Sequence, residues 1–109
     1  MKRNIPPIEI EPEHWVIVHD TLQKYVPQYE VWAFGSRARG QAKKFSDLDL
    51  AIMTDRPLTL DVSAGLRDEF SESDLPWKVD TVDWACTSES FRAIIERDKV
   101  VVKRSGALA

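Results

Sequence analysis

The sequence predicts an α/β (α+β) fold in which helices pack mainly on one face of a small mixed β-sheet. Segments with helical spacing of apolar residues alternate with short runs rich in branched and aromatic residues. The 109 residues are enough for one modest core and too few for a second lobe. With 43% hydrophobic and 30% charged residues, the composition is that of a folded globular domain. We therefore interpret 1–109 as one domain, with an extended lead-in over 1–8 and a frayed tail over 104–109.

The first half of the chain predicts one helix and one strand. Apolar residues recur at helical spacing over 12–25, and Pro12 suits a first helical turn. The residues on this apolar face are Trp15, Val18, Leu22 and Tyr25. Pro27 ends the helix, and the apolar run 30–35 predicts a mostly buried strand that leads into a glycine turn.

Two strands flank a helix in the middle of the chain. The run 48–54 is rich in apolar and branched residues, and the turn residues of 55–57 break it. A helix over 61–71 follows, and Gly65 lowers its intrinsic stability. The third strand is predicted over 77–84.

A helix is predicted near the end of the chain. Thr87 or Ser88 can cap this helix, which carries apolar residues on one face, and a short strand or extended tail is predicted at 100–102. Cys86 is the only cysteine, so neither an internal disulfide nor a cysteine-based zinc site can form within the chain.

Net charge and hydropathy exclude several classes of function. A formal charge of -3 argues against direct nucleic-acid binding, since that affinity comes mainly from neutralising phosphates. No apolar run is long enough to cross a bilayer. A proline pair at 6–7 stands where a signal peptide would have its apolar stretch, so we expect a cytoplasmic protein without membrane contact.

A phosphate-binding turn is predicted at Gly35 and Ser36. A glycine lets the backbone approach a polyphosphate closely, and Ser36 adds a hydroxyl donor. If a helical turn starts just after Ser36, its unpaired amide groups and dipole favour an anion there. The segment 36–44 also contains basic residues and no acid. Among these we expect Arg37 or Arg39 to bind phosphate oxygens.

Two carboxylates follow after a spacer of ten residues. In an extended segment side chains alternate between faces, so Asp47 and Asp49 project together while Leu48 and Leu50 point the other way. Two such acids repel each other unless a cation lies between them. Magnesium prefers hard oxygen ligands and is commonly held by one or two carboxylates together with substrate phosphates. The pair therefore predicts half of a magnesium site that a nucleoside triphosphate completes.

The motifs GSRARG at 35–40 and SDLDL at 46–50 resemble those of the minimal nucleotidyltransferases of the DNA polymerase β superfamily, and most closely the MNT antitoxins. The resemblance covers most of the chain and implies a polymerase-β-like palm core. It implies an enzyme that transfers AMP from ATP to a hydroxyl with loss of pyrophosphate, using two magnesium ions. An open sheet face would leave room for the nucleotide and a large acceptor.

In that family a third carboxylate on a neighbouring strand joins the pair. The candidates, Asp80 and Asp83, are three residues apart and fall on opposite faces of a strand, so at most one can join without a bulge. By resemblance we assign Asp80. We expect Asp83 to be a strand-end carboxylate in water.

The resemblance also implies a partner protein. Fuller relatives carry an extra domain that binds the acceptor, so we expect a second polypeptide to supply it here. The chain could form a hetero-oligomer with that partner or a homo-oligomer. By resemblance this partner is a HEPN ribonuclease toxin, which the MNT chain neutralises by attaching AMP to a tyrosine. The alternative is a binding module that inhibits the toxin by contact alone. A transferase for a small molecule such as an aminoglycoside is disfavoured by the missing substrate domain.

Overall fold

A mixed sheet with helices on both faces is seen in the computed structural model, which describes residues 5–105. The elements in this part of the chain are α1 (Pro12–Tyr25), β1 (Val31–Phe34), β2 (Leu48–Ile52), α2 (Leu60–Ser71), β3 (Val79–Asp83), a 3-10 turn (Trp84–Cys86), α3 (Glu89–Asp98) and β4 (Val100–Lys103). The predicted α/β class and the order of the elements are confirmed. None of the helices in 5–105 has the length and apolar character needed to cross a membrane.

The ends of the helices follow the predicted local signals. Helix α1 has the predicted bounds, with a proline in its first turn. Ser88 caps α3, since its side chain accepts a hydrogen bond from the Phe91 backbone N–H at 3.2 Å. Residues 1–4 of the predicted lead-in and 106–109 of the predicted tail lie outside the described residues. Among the described residues before α1, Ile8 and Ile10 pack against the core.

Both antiparallel and parallel pairing occur in the sheet, whose strand order is β3-β2-β1-β4. Strand β1 pairs antiparallel with β2 and β4, whereas β2 pairs parallel with β3. A parallel pair needs a crossover connection, and α2 supplies it between β2 and β3. In this register Asp49 lies directly beside Asp80.

The main core lies between one sheet face and helices α1 and α2. Its buried members are Trp15, Val18, Leu22, Val26, Val31, Ala33, Leu48, Leu50, Ile52, Leu66, Phe70, Trp77 and Val102. The alternation of side chains along β2 places Leu48 and Leu50 in this core with no exposed surface. Their neighbour Asp49 therefore faces the other side of the sheet.

Helix α3 covers part of that other face. Ile95 packs with Trp32, Phe34 and Ala51, and the rings of Phe34 and Phe91 meet edge to face at 5.6 Å. Two of the three helices lie on one face, as predicted, but the opposite face is not fully open. Because α3 contacts mainly β1, the part of this face at β2 and β3 remains available for a site.

The glycine of α2 has a packing role that we expect a substitution to reveal. A Cβ at Gly65 would overlap with the ring of Tyr25, whose hydroxyl donates to Glu69 at 3.1 Å. Gly65→Ala should raise the free energy of unfolding by about 1 kcal/mol through helix propensity. Overpacking against Tyr25 should lower it by roughly 1–3 kcal/mol, so urea denaturation should show a net loss of stability.

The matched control for this prediction is the same substitution made in a Tyr25→Ala chain. There the space is open, and Gly65→Ala should raise the urea midpoint. A rise of similar size in the wild-type chain would show that Tyr25 does not restrict this position.

Candidate active site

Three aspartates line the open part of the sheet. Asp47 is exposed just before β2, and Asp49 is half-buried within it on the face away from the main core. Asp80 is exposed on β3 and is the register partner of Asp49. Neighbouring strands lie about 4.8 Å apart, and partners in a parallel pair point to the same face. The structure thus places the predicted third acid beside the predicted pair.

The three carboxylates act on one another electrostatically. The pKa of Asp49 is raised from 3.8 to about 6, first by burial and then by the negative charges of Asp80 and Asp47. Like charges close to a carboxylate disfavour its ionised form. A divalent cation near these acids would remove this repulsion.

The donor set fits magnesium with an incomplete protein shell. Within 5–105 no three His, Cys, Asp or Glu side chains are close enough together to form a ready-made metal centre. The three aspartates, Asp47, Asp49 and Asp80, offer only carboxylate oxygens, the type of ligand that magnesium prefers. Magnesium usually keeps several ligands from water and substrate phosphates. These residues therefore fit an ion that a bound triphosphate helps to hold.

Gly35 lies against the middle aspartate. Its φ is +80°, a left-handed conformation that glycine adopts without strain. A Cβ at this position would overlap with Oδ2 of Asp49. Any other residue would be strained and would displace the carboxylate, so glycine is required for the turn and the acids to lie together.

One helical turn follows Gly35, as predicted, without extending into a helix. The backbone N–H groups of Ala38 and Arg39 both donate to the Gly35 carbonyl at 3.1 Å. Among hydrogen bonds between described backbone groups, none uses the N–H of Ser36 or Arg37. These two amide groups are therefore free to bind an anion beside Asp49.

Arg37 does not fit the predicted phosphate contact. The residue is only 6% exposed, and its side chain donates to the carbonyl oxygens of Ser46 at 2.9 Å, Glu9 at 2.7 Å and Lys44 at 3.3 Å. Its guanidinium also lies over the Trp77 ring, 4.4 Å from the centroid. Arg37 thus ties the loop before Asp47 to the N-terminal segment and to the core.

Arg39 is the arginine that remains available to a ligand. Its side chain is 43% exposed, and its Nε lies 3.9 Å from Oδ2 of Asp98, a long distance for an ion pair. The exposed Lys43 and Lys44 follow in the same loop. Arg39 therefore supports the predicted basic partner for phosphate better than Arg37 does.

Asp83 has a structural role and is not a solvated strand end. On the side of β3 opposite to Asp80, its carboxylate accepts hydrogen bonds from the Thr54 hydroxyl and from the Leu58 backbone N–H. It joins the end of β3 to the loop that leads into α2. The expectation of a carboxylate in water was therefore wrong. The sequence did not indicate these contacts, because Thr54 and Leu58 are far from Asp83 along the chain.

One acid at the site was missed by the sequence analysis. Asp98, the last residue of α3, has a side chain only 4% exposed that lies beside Arg39. Its pKa is lowered mainly by the hydrogen bond from Arg97, with a smaller contribution from the Gly35 backbone N–H. Asp98 is 63 residues after Gly35, and no motif or periodicity links the two.

Comparison with known proteins identifies the family. The family described as "Polymerase beta, Nucleotidyltransferase" matches residues 18–106, which include all of the acids and turn residues above. The chain belongs to this family. The chain is therefore a nucleotidyltransferase. It is 54% identical over 96 residues to the probable protein adenylyltransferase MntA of Haemophilus influenzae, and the match covers 88% of this chain and 84% of that protein.

Solved structures share the fold of this nucleotidyltransferase. A crystal structure of a toxin-antitoxin with AMP-PNP matches with a TM-score of 0.70 at 20% identity, over 85% of this chain and 75% of that one. A mutant of the toxin-antitoxin MntA-HpeT matches with a TM-score of 0.68 at 19% identity, over 91% and 76%. The polymerase-β-like fold is confirmed.

The different roles of the two arginines predict different effects of alanine substitution. Arg37→Ala should lower the free energy of unfolding by roughly 2–4 kcal/mol, because carbonyls now bonded to a charged donor lose their partner. Arg39→Ala should change it by less than about 0.5 kcal/mol, as is usual for an exposed residue. Chemical denaturation of both variants checks this, and equal losses would contradict the structural role of Arg37.

The raised pKa of Asp49 predicts a pH-dependent stability without metal. Between about pH 4 and 6 the folded chain keeps a proton on Asp49 that the unfolded chain has lost, so this group stabilises the fold as pH falls and destabilises it above pH 6. At pH 7.5 in EDTA, Asp49→Asn should raise Tm by roughly 4–8 °C, the shift that about 1 kcal/mol produces in a domain of this size. The gain should shrink towards pH 4.5.

The control is Asp55→Asn, which alters an exposed acid in the loop after β2. This variant should follow the wild-type Tm at both pH values. If Asp49→Asn also follows it in thermal melts, burial and the neighbouring acids do not destabilise the ionised Asp49 carboxylate in the folded chain.

Proposed function

We propose that this chain is a magnesium-dependent adenylyltransferase that attaches AMP from ATP to a hydroxyl, most simply a tyrosine, of a partner HEPN ribonuclease toxin. It would thereby act as a cytoplasmic antitoxin. The observation that supports it most is the placement of Asp49 between its register partner Asp80 and the glycine turn. Acidic metal ligands and an anion-binding turn are thus adjacent, as transfer from a triphosphate requires.

In the proposed reaction the acceptor oxygen attacks the α-phosphorus of ATP. A new oxygen-phosphorus bond forms, the bond from the α-phosphorus to the bridging oxygen breaks, and pyrophosphate leaves. The hydroxyl proton passes to solvent. No covalent intermediate with the protein is needed.

The chain's own groups bind and orient the reactants. The amide groups of Ser36 and Arg37, the Ser36 hydroxyl and Arg39 would hold the β- and γ-phosphates in line for departure. Asp47 and Asp49 would hold two magnesium ions, and Asp80 would hold the one nearer to the acceptor. When bound, magnesium neutralises phosphate charge and lowers the pKa of the acceptor hydroxyl.

The toxin partner is proposed from the relatives. One similar protein is a probable protein adenylyltransferase, and two crystal structures of similar fold are of toxin-antitoxins, one of them with AMP-PNP. The exposed position of Asp80 at the edge strand would let a protein acceptor approach from outside the domain.

A transfer assay tests this proposal. The chain is incubated with magnesium, ATP labelled on the α-phosphate, and the product of the neighbouring gene as the candidate partner. Label should appear on the partner and RNA cleavage by the partner should fall. Asp47→Ala, Asp49→Ala and Asp80→Ala should each reduce the rate at least about a hundredfold, because positioned charge at the transferred group dominates such reactions.

Asp55→Ala is the matched control for charge, since it also removes one acid near the end of β2, and it should retain the wild-type rate. Omission of magnesium should abolish labelling. If the wild-type chain transfers no label, and Asp49→Ala protects RNA as well as the wild type does, the enzyme is contradicted and inhibition by contact alone is favoured.

A further inference from the structure

The C-terminus of α3 lies directly behind the proposed phosphate turn. Ile95 is fully buried against the sheet, and Phe91 contacts Phe34, the residue just before Gly35. These contacts fix the position of the helix relative to the turn. The last helical residue, Asp98, reaches the turn from the side of α3.

An aspartate is an unfavourable residue at this position in a helix. The C-terminus of a helix carries partial negative charge and favours cations. The side chain of Asp98 is nonetheless almost fully buried. Burial removes the hydration that would otherwise offset the repulsion between the carboxylate and the helix C-terminus. Groups around Asp98 must therefore stabilise its charge.

Two kinds of partner stabilise that charge. Arg97 donates to it at 2.9 and 3.4 Å, and this contact is the first cause of the lowered pKa of Asp98. The other partners belong to the turn: the Gly35 backbone N–H and the Arg39 Nε at 3.9 Å. Arg97 is 62% exposed, so its contact alone does not explain why the carboxylate is directed inward.

We propose that Asp98 is a positioning residue for the triphosphate, which fixes the Gly35 backbone from behind the turn and keeps Arg39 at the mouth of the anion pocket. This inference rests on the proposed function, whose phosphate contacts it refines. The Gly35 N–H also stabilises the Asp98 carboxylate, and this interaction restrains the peptide that precedes the amide groups of Ser36 and Arg37. The long Arg39 contact holds the guanidinium close by and still lets it move to a phosphate.

Nucleotide binding tests the proposal without depending on turnover. The probe is α,β-methylene-ATP with magnesium, and its Kd is measured by calorimetry for the wild type, Asp98→Ala, Asp98→Asn and Arg97→Ala. Asp98→Ala should weaken binding by about tenfold, the effect of losing one good polar contact. Asp98→Asn keeps an acceptor for the Gly35 N–H but loses the charge, so it should fall between Asp98→Ala and the wild type.

Arg97→Ala is the matched control, because it removes the surface ion pair of Asp98 and leaves the contacts with the turn. Its Kd should remain within about twofold of the wild type, as expected for an exposed pair. In an Arg39→Ala chain, Asp98→Ala should cause a smaller loss than in the wild type, since residues that act through a common contact are not additive. In the transfer assay Asp98→Ala should raise the KM for ATP more than it lowers kcat.

The outcomes separate this inference from the proposed function. If the wild type binds the analogue and a folded Asp98→Ala chain binds it equally well, Asp98 is structural and only this inference is wrong. If Asp98→Ala does not fold, Asp98→Asn decides in the same way. If the wild type does not bind the analogue with magnesium, both the inference and the proposed function are wrong.

Discussion

The parallel pairing of β2 with β3 is the constraint on which the site depends. The register of this pair places Asp49 of β2 directly beside Asp80 of β3, although the two negative charges repel each other. A shift of one residue would turn Asp80 to the side of the main core and separate it from Asp49. The register is fixed by Leu48 and Leu50, which are fully buried under the helices, and by the α2 crossover.

The turn at Gly35 adds a second constraint on the same aspartate. The absence of a side chain at Gly35 is what lets Asp49 approach the turn. Arg37 holds the far end of the loop through the carbonyl oxygens of Lys44 and Ser46, and its bond to the Glu9 carbonyl anchors that end, next to Asp47, to the N-terminal segment. Contacts of the residues around them thus keep the repelling carboxylates together, and such sites trade stability for function.

Much of the fold and of the site followed from periodicity. Alternation along 47–50 predicted which side chains face the core and which face the site, because a strand allows no other arrangement. The same period showed that Asp80 and Asp83 point in opposite directions, although the resemblance was needed to choose between them. Helix α1 was predicted to the residue, since a proline marks its start and another follows its end.

What the sequence did not predict depends on contacts between distant segments. A buried arginine such as Arg37 is rare, and its carbonyl partners lie on both sides of it in the chain, with Trp77 farther on. The amphipathic pattern of α3 showed that it packs on the sheet but not on which face. Asp98 could be recognised only after that face was known, because its partners at the turn are more than fifty residues away.

The most direct test of the central claim is a crystal structure of the chain with magnesium and α,β-methylene-ATP. We expect metal density between Asp49 and Asp80, with the β- and γ-phosphates on the amide groups of Ser36 and Arg37. Phosphates bound away from the glycine turn, or a metal held without Asp80, would contradict it.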